Sequence, residues 1–459
     1  MTTQDFRHVA VFDIGKTNAK VVVLDSASGA EIAVAKTPNT VLRHGPYPHY
    51  DIDGLWAFAI GALRSFAETP GFDAISVTTH GASAALLDAT GTLAMPVLDY
   101  EHDYPEEISK AYARLRPAFD ETYSPHQMMG LNVGAQLHYQ KTNFPDEFAN
   151  VATIVMYPQY WTGRLAGVFS NEVTSLGCHT DLWDPRHGRY SSLVDTLGIR
   201  ELMAPIRSAF DPLGMVLPGV TREIGLRSDI PVYCGIHDSN ASLLPHLVAR
   251  AAPFAVVSTG TWVVTFGVGG DFDRLDPRRD TLANVDAYGR AVPSSRFMGG
   301  REFETILREI GSTSEEYVRR AVEHVISEGV MLLPNVVSGS GPFPGKKGRW
   351  LNAEGASAEH RYAALCLYLA LMSQTCLDLV VADGPVIVEG PFALNETYLV
   401  LLAALTGRTI VAVPGSTGTS QGAALLTGIT PQPGTERRIK PATIPGLLDY
   451  RQNWYSALA

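Results

Sequence analysis

The chain has 459 residues, 46% of them hydrophobic, and a formal net charge of −11 at pH 7, with a pI near 5.6 and a mean hydropathy of +0.04. That length and balance suit a globular protein with two or three cores, and the acidic charge without a basic face speaks against nucleic acid as a partner. Cys178, Cys234, Cys366 and Cys376 form no CxxC pair and read as buried reduced thiols, not as a zinc site or disulfide framework. No basic-then-apolar leader and no apolar run of bilayer length stand out, so the expected location is the cytoplasm, without a membrane partner.

In chain order, Val9–Phe12 and Val21–Leu24 are β-branched runs around Asp13, Gly15, Lys16, Thr17, Asn18 and Lys20. The pattern predicts two antiparallel strands joined by a tight turn. Its turn suits phosphate, since Gly15 admits backbone N–H groups, Thr17 and Asn18 donate, Lys16 and Lys20 are cationic and Asp13 suits a hydrated divalent cation; an ordinary polar hairpin turn fits equally well. Helical spacing follows at Leu55, Phe58, Ala59, Ala62, Leu63 and Phe66, and then a buried strand, a turn at His80 and Gly81 and a second strand ending at Asp88. Strand, helix, strand order indicates an α/β domain. Helices are predicted over Ile108–Phe119 and Val133–Asn143, then a strand running into a helix that ends near Gly163 or Gly167. Residues 170–190 read as loop, either lining a site or forming a solvated or locally hydrogen-bonded surface.

Pro231–Cys234 predicts a strand, followed by His237-Asp238 and a helix from Ser239; Asp238 fits a helix cap as well as a reactive group. AVVSTGTWVVTFGV then repeats the logic of the opening stretch, with strand, polar glycine turn and strand. Two such units suggest two related halves, each offering a phosphate loop to a shared cleft. GSGPFPGKKG (339–348) lacks Walker spacing and reads as a mobile loop, and the histidines show no metal-ligand spacing.

Taken together, DIGKTNAK, GIHDSNAS, STGTW, VIVEGPFALNETYLVLLAALTGR and GTSQGAALL occur in the order of the FGGY carbohydrate kinases, which the sequence resembles over nearly its whole length. The segment SVTTHGASAALLDATGTLAMPVLDY most resembles the rhamnulokinase and fuculokinase branch. The resemblance implies two ribonuclease-H-like (actin-like ATPase) α/β domains with a catalytic cleft between them, residues 1–243 binding sugar and 244–459 most of the nucleotide. It implies ATP and Mg2+, with Asp238 as general base and Asp13 holding the metal through water. Gly15, Lys16, Thr17, Asn18 and Lys20 would face phosphate, Thr259, Gly260 and Thr261 would cradle it through backbone and hydroxyl donors, and Gly299, Gly300, Gly390, Phe392 and Asn395 would lie about the nucleotide. Asn395 also fits a helix cap, from the sequence NETY. His80, Gly81, His102, Gln136 and His237 are the sugar candidates, with Asp238. Lys20 stands where the family usually has arginine and Lys16 where a small or hydroxylated residue is usual, which implies altered phosphate geometry; Pro391 stands where a second glycine is usual, which bears on nucleotide affinity or base preference. The implied reaction is phosphorylation of a ketose such as L-rhamnulose or L-fuculose at the 1-hydroxyl by a monomer or homodimer. A ketopentose kinase (xylulose or ribulose) comes next, then a non-catalytic sensor or an actin-like ATPase acting on a protein.

Overall fold

The β-branched runs at the start of the chain form the hairpin they predict. Strand β1 (His8–Ile14) pairs antiparallel with β2 (Asn18–Asp25), His8 lying opposite Asp25 and Ile14 opposite Ala19. The computed structural model describes residues 6–226, 229–311, 315–414, 418–430 and 435–458, with backbone alone at 315 and 316; residues 1–5 of the stretch read for a leader lie outside it. Two units divide the chain. One comprises Met1–Arg250, Ala283–Ala291 and Thr417–Pro433, the other Ala251–Leu282, Val292–Ser416 and Gly434–Ala459.

In the first unit, β2 also pairs with β3 (Glu31–Pro38), and helix α1 (Ile52–Glu68) follows. The Asp51 side chain accepts the Gly54 N–H at 2.9 Å and starts α1, which buries Ile52, Leu55, Ala59, Ile60, Ala62 and Leu63. Strand β4 (Ala74–Thr79) then enters the sheet parallel to β1, and β5 (Ala84–Leu87) follows it. Helix α2 (Val133–Asn143) agrees with its predicted span. The helix expected over Ile108–Phe119 runs instead from Glu106 to Leu115, because Pro117 drives Arg116 into extended backbone at ψ 147°. Strand β6 (Thr153–Met156) pairs with β5 and leads into α3 (Tyr157–Ala166), closed by Gly167 at φ +76°. Strands β7 (Pro212–Met215), β8 (Pro231–Tyr233) and β9 (Ile236–His237) precede α4 (Asp238–Ala249). The sheet order is β7-β8-β4-β1-β2-β3, with β9 also on β4. One face packs on α1 and α3 through residues such as Phe12, Ile75, Leu63 and Trp161. The alternate residues Val9, Val11 and Val22 face Ala241, Leu244, Ala423 and Ala424. Each fully buried Val, Leu or Ile contributes roughly 1.5–3 kcal/mol.

The second unit repeats the arrangement. Strands β10 (Phe254–Thr259) and β11 (Val263–Val268) form its antiparallel hairpin, and after β12 (Thr281–Val285, its last three residues counted with the first unit), β13 (Ala291–Phe297), α5 (Gly299–Ile310) and α6 (Ala358–Val380), strand β14 (Val386–Glu389) pairs parallel to β10. Helix α7 (Glu396–Thr406) and strands β15 (Ile410–Val413) and β16 (Arg437–Ile439) complete the order β12-β13-β11-β10-β14-β15-β16. Between β15 and β16 lies α8 (Gly418–Leu425), which belongs to the first unit.

Helix α6 corrects one expectation. Its 23 residues are long and apolar enough to cross a membrane by length and composition, yet 89% of its most apolar window is buried inside the protein. Length is set here by the depth of the core it traverses. The 339–348 stretch is also not a free loop at its start. Ser340, Gly341 and Pro342 are buried, with Asn335 Nδ2 donating to the carbonyls of Ser340 (2.8 Å) and Phe343 (2.7 Å). All four cysteines are buried thiols.

Candidate active site

Three adjacent parallel strands of the first unit end at one level, because Asp13 on β1 and Ile236 on β9 both pair with Thr78 of β4, and His237 pairs with Thr79. Their carboxyl ends, where an α/β sheet places its chemistry, therefore carry Asp13, His80-Gly81 and His237-Asp238. Asp238 opens α4, and its Oδ1 accepts the Ser239 N–H at 2.6 Å and lies 3.2 Å from His237 Nε2. The carboxylate is 30% exposed. Loss of water around it, with the negative charge of Asp13 adding to the effect, pushes its pKa up to about 7. Burial holds the His237 imidazole down at about 4, so it is neutral. Asn240 Nδ2 donates to its Nδ1 at 3.2 Å, which assigns the ring proton to Nε2, facing Asp238. Gly81 makes room for that ring, since a Cβ there would lie 2.6 Å from Nε2.

Asp13 is 6% exposed and its Oδ2 is tightly held. The hydroxyls of Thr419 and Ser420, at the start of α8, donate to it at 2.8 Å each, and Lys20 Nζ stands 3.6 Å away. Among the described residues Oδ1 has no hydrogen-bond partner. A fixed carboxylate with one oxygen to spare suits a hydrated magnesium ion, which prefers few protein oxygens and keeps its water. Beside it the hairpin turn is closed by the Gly15 N–H on the Asn18 carbonyl (2.9 Å) and leaves Thr17 and Asn18 exposed. Asn39 braces it, its backbone N–H on the Thr17 carbonyl and its Nδ2 on the Gly15 carbonyl, each at 2.9 Å. Nothing about Asn39 in sequence marks it for this role, and the motif GTSQGAALL singles out the segment of Thr419 and Ser420 without naming Asp13 as their partner; Ser420 stands 407 positions from it.

Several predicted contact residues are committed to partners within the protein. Lys16 turns away from the phosphate turn to pair with Asp99, lies 3.5 Å from Glu101 Oε2 and sits over the rings of Tyr50 and Tyr100, 5.0 and 4.8 Å from their centroids. Two carboxylates and two aromatic faces hold the cation more strongly than an open turn does. Gln136 is 2% exposed and its Nε2 donates to the carbonyls of Ala82 and Gly130, so it ties the chain internally. His102 packs among Tyr104 and Tyr139. His80 stays with the site: burial lowers its pKa to about 4, Nδ1 donates to the Gly81 carbonyl at 2.8 Å, and the buried Nε2 has no partner among the described residues. Most of residues 170–185 are buried, Asn171, Glu172, Thr174, Ser175, Thr180 and Asp181 among them, whereas residues 186–189 are exposed.

In the second unit, glycine lets three segments meet at the β10–β11 turn. A Cβ on Gly300 would lie 1.9 Å from the Gly260 carbonyl oxygen, and one on Gly390 (φ +78°) 2.0 Å from that of Thr259. Gly299, first residue of α5, has the Phe297 ring and Val263 against it. Gly260 and Thr261 are exposed at the tip. The Thr259 hydroxyl is instead committed inward, donating to the Glu389 carbonyl and accepting the Phe392 N–H at 3.0 Å. Pro391 causes no backbone conflict, because it takes the first position of a short 3-10 helix, where no N–H is required. Phe392 is core, 4% exposed against Phe303 and Tyr398. Asn395 is the cap of α7, its Oδ1 accepting the Tyr398 N–H at 2.9 Å.

Residues 8–245 match the N-terminal domain of the FGGY family of carbohydrate kinases, and residues 251–436 match the carbohydrate kinase FGGY C-terminal domain. The chain belongs to the FGGY family of carbohydrate kinases. A carbohydrate kinase from Novosphingobium aromaticivorans superposes with a TM-score of 0.90 at 36% identity, over 98% of this chain and all of that one. A xylulose kinase from Rhodospirillum rubrum shares the fold, with a TM-score of 0.82 at 18% identity over 98% of both chains. An L-fuculokinase from Salmonella typhi is 25% identical over 274 residues, 58% of this chain, and the match spans only 57% of that relative's length.

Proposed function

We propose that this FGGY protein phosphorylates a ketose of the L-fuculose or L-rhamnulose kind at its 1-hydroxyl, using ATP, with Asp238 as general base. The observation that carries the reading is Asp238 itself: a partly open carboxylate at a strand-to-helix junction, with its pKa raised to about 7 and a neutral histidine on one oxygen. A base with that pKa is basic enough to accept a proton from a sugar hydroxyl and still ionised near neutrality. Its proton acceptance and the attack of the hydroxyl oxygen on the γ-phosphorus belong to one step, in which the ADP oxygen leaves. His237 orients the base through the Nε2 contact. The bare Nε2 of His80 accepts a hydrogen bond from a second sugar hydroxyl, at a buried position where an unpaired nitrogen is costly.

In the first unit Thr17, Asn18 and Lys20 supply donors and charge for phosphate oxygens; the exposed turn at Gly260 and Thr261 offers donors of its own in the second unit. Asp13 would hold Mg2+ through water, and the ion when bound neutralises charge on those oxygens. The choice among ketoses draws on the similarity to L-fuculokinase. The test is sugar-stimulated ADP release across ketoses, polyols and aldoses, with Asp238→Ala alongside. Turnover on a 6-deoxyketohexose that Asp238→Ala lowers by orders of magnitude supports the reading. No stimulation by any sugar overturns it.

A further inference from the structure

The chain bends from strand to helix at His237, which precedes α4 with φ −65° and ψ 139° and has no side-chain cap of its own. Where Asp238 points depends on that bend, so the main chain of His237 needs an anchor. Beyond the sheet pairing of His237 with Thr79, that anchor is Thr174, whose Oγ1 accepts the His237 N–H at 3.1 Å. Thr174 is free to accept there because its own hydroxyl hydrogen is committed to Oε2 of Glu172, 2.5 Å away.

Glu172 is fully buried and has no cationic partner among the described residues. Its Oε1 accepts the Thr174 N–H at 2.9 Å and starts the short helix Val173–Leu176. For that purpose one oxygen suffices. The second oxygen orients the Thr174 hydroxyl, and a buried carboxylate is costly where a neutral cap would serve the helix alone. The ring of His237 has contacts of its own, to Asn240 and in the space over Gly81, which a shift of its main chain alters. Thus carboxylate, hydroxyl and main-chain amide run in sequence to the peptide that carries the base.

We propose that Thr174, oriented by Glu172, is a positioning residue that sets the direction of the Asp238 carboxylate. The inference rests on the reading of Asp238 as the base. Thr174→Val keeps the shape and removes the acceptor, whereas Thr174→Ser keeps the acceptor. The expected result for Thr174→Val is a fall in kcat of roughly ten- to hundredfold, with KM for sugar and ATP within about threefold, and recovery to within about threefold in Thr174→Ser. The His237 ring 15N and 1H signals should move in Thr174→Val and return in Thr174→Ser, with or without turnover. An unchanged kcat in folded Thr174→Val overturns the proposal, as does equal impairment of both variants with a matching loss of Tm. Absence of sugar-stimulated turnover in the unmodified protein overturns the kinase reading instead. The ring signals then decide for Thr174, unmoved signals in Thr174→Val counting against it.

Discussion

Gly81→Ala separates catalytic geometry from fold stability. The backbone at Gly81 lies outside the left-handed region, so alanine brings no φ strain, but its Cβ would lie 2.6 Å from His237 Nε2 and 3.0 Å from Cδ2. Ordinary contact begins near 3.4 Å, so the imidazole must retreat by about 0.8 Å. Its Nε2 now stands 3.2 Å from Asp238 Oδ1, and a retreat of that size stretches the contact toward 4 Å, about the end of hydrogen bonding. The obstacle is a side chain that can move, so the cost in stability falls near the low end of overpacking, about 1 kcal/mol. Misplacement of a catalytic group by about 1 Å costs up to about a hundredfold in rate, so kcat should drop roughly ten- to hundredfold while Tm falls only a few degrees. Coupled ADP release and a thermal melt on the same preparation make the comparison. A kcat within about threefold of the unmodified protein would refute the account of how His237 is held.

The raised pKa of Asp238 gives two signs to check. A general base at Asp238, as proposed, must be ionised, so kcat/KM should fall about tenfold per pH unit below about 7 and level off above it. For stability, the fold holds the Asp238 proton to a higher pH than the ordinary 3.8, so the stabilisation present below 3.8 is lost as pH rises through about 7. Asp238→Asn should then melt above the unmodified protein at pH 8, with the gap closing as pH falls toward 4; a gap independent of pH would count against the shift. Asn395→Ala should cost about 1 kcal/mol of stability through the lost cap and leave KM for ATP within about twofold. A tenfold rise in KM without loss of Tm would restore Asn395 as a nucleotide contact.

Local chemistry was legible wherever the deciding partners lie close in the chain. The Val9–Asp25 hairpin, its repeat at STGTW, the helix spaced from Leu55 to Phe66 and the junction at His237-Asp238 all form as their residue types require, because β-branched alternation, turn glycines and helical spacing act over a few residues. Asn395 shows the limit of motif reading, since the same side chain fits a cap and a ligand contact and only its distance to the Tyr398 N–H assigns it.

Lys16 shows a second limit. A lysine in a glycine turn reads as a phosphate contact until Asp99, 83 residues on, draws it off. What the sequence by itself determined is the pair of strand-turn-strand halves and the ordered residue types of a carbohydrate kinase. Tertiary structure alone decided that Ser420 and Thr419 grip Asp13, that Thr174 anchors the peptide before Asp238, and that Glu172 and Thr174 are buried. The physical reason is common to all three: a hydroxyl or buried carboxylate has no periodicity or spacing that names its partner, and its role is set by which strand ends the sheet brings together.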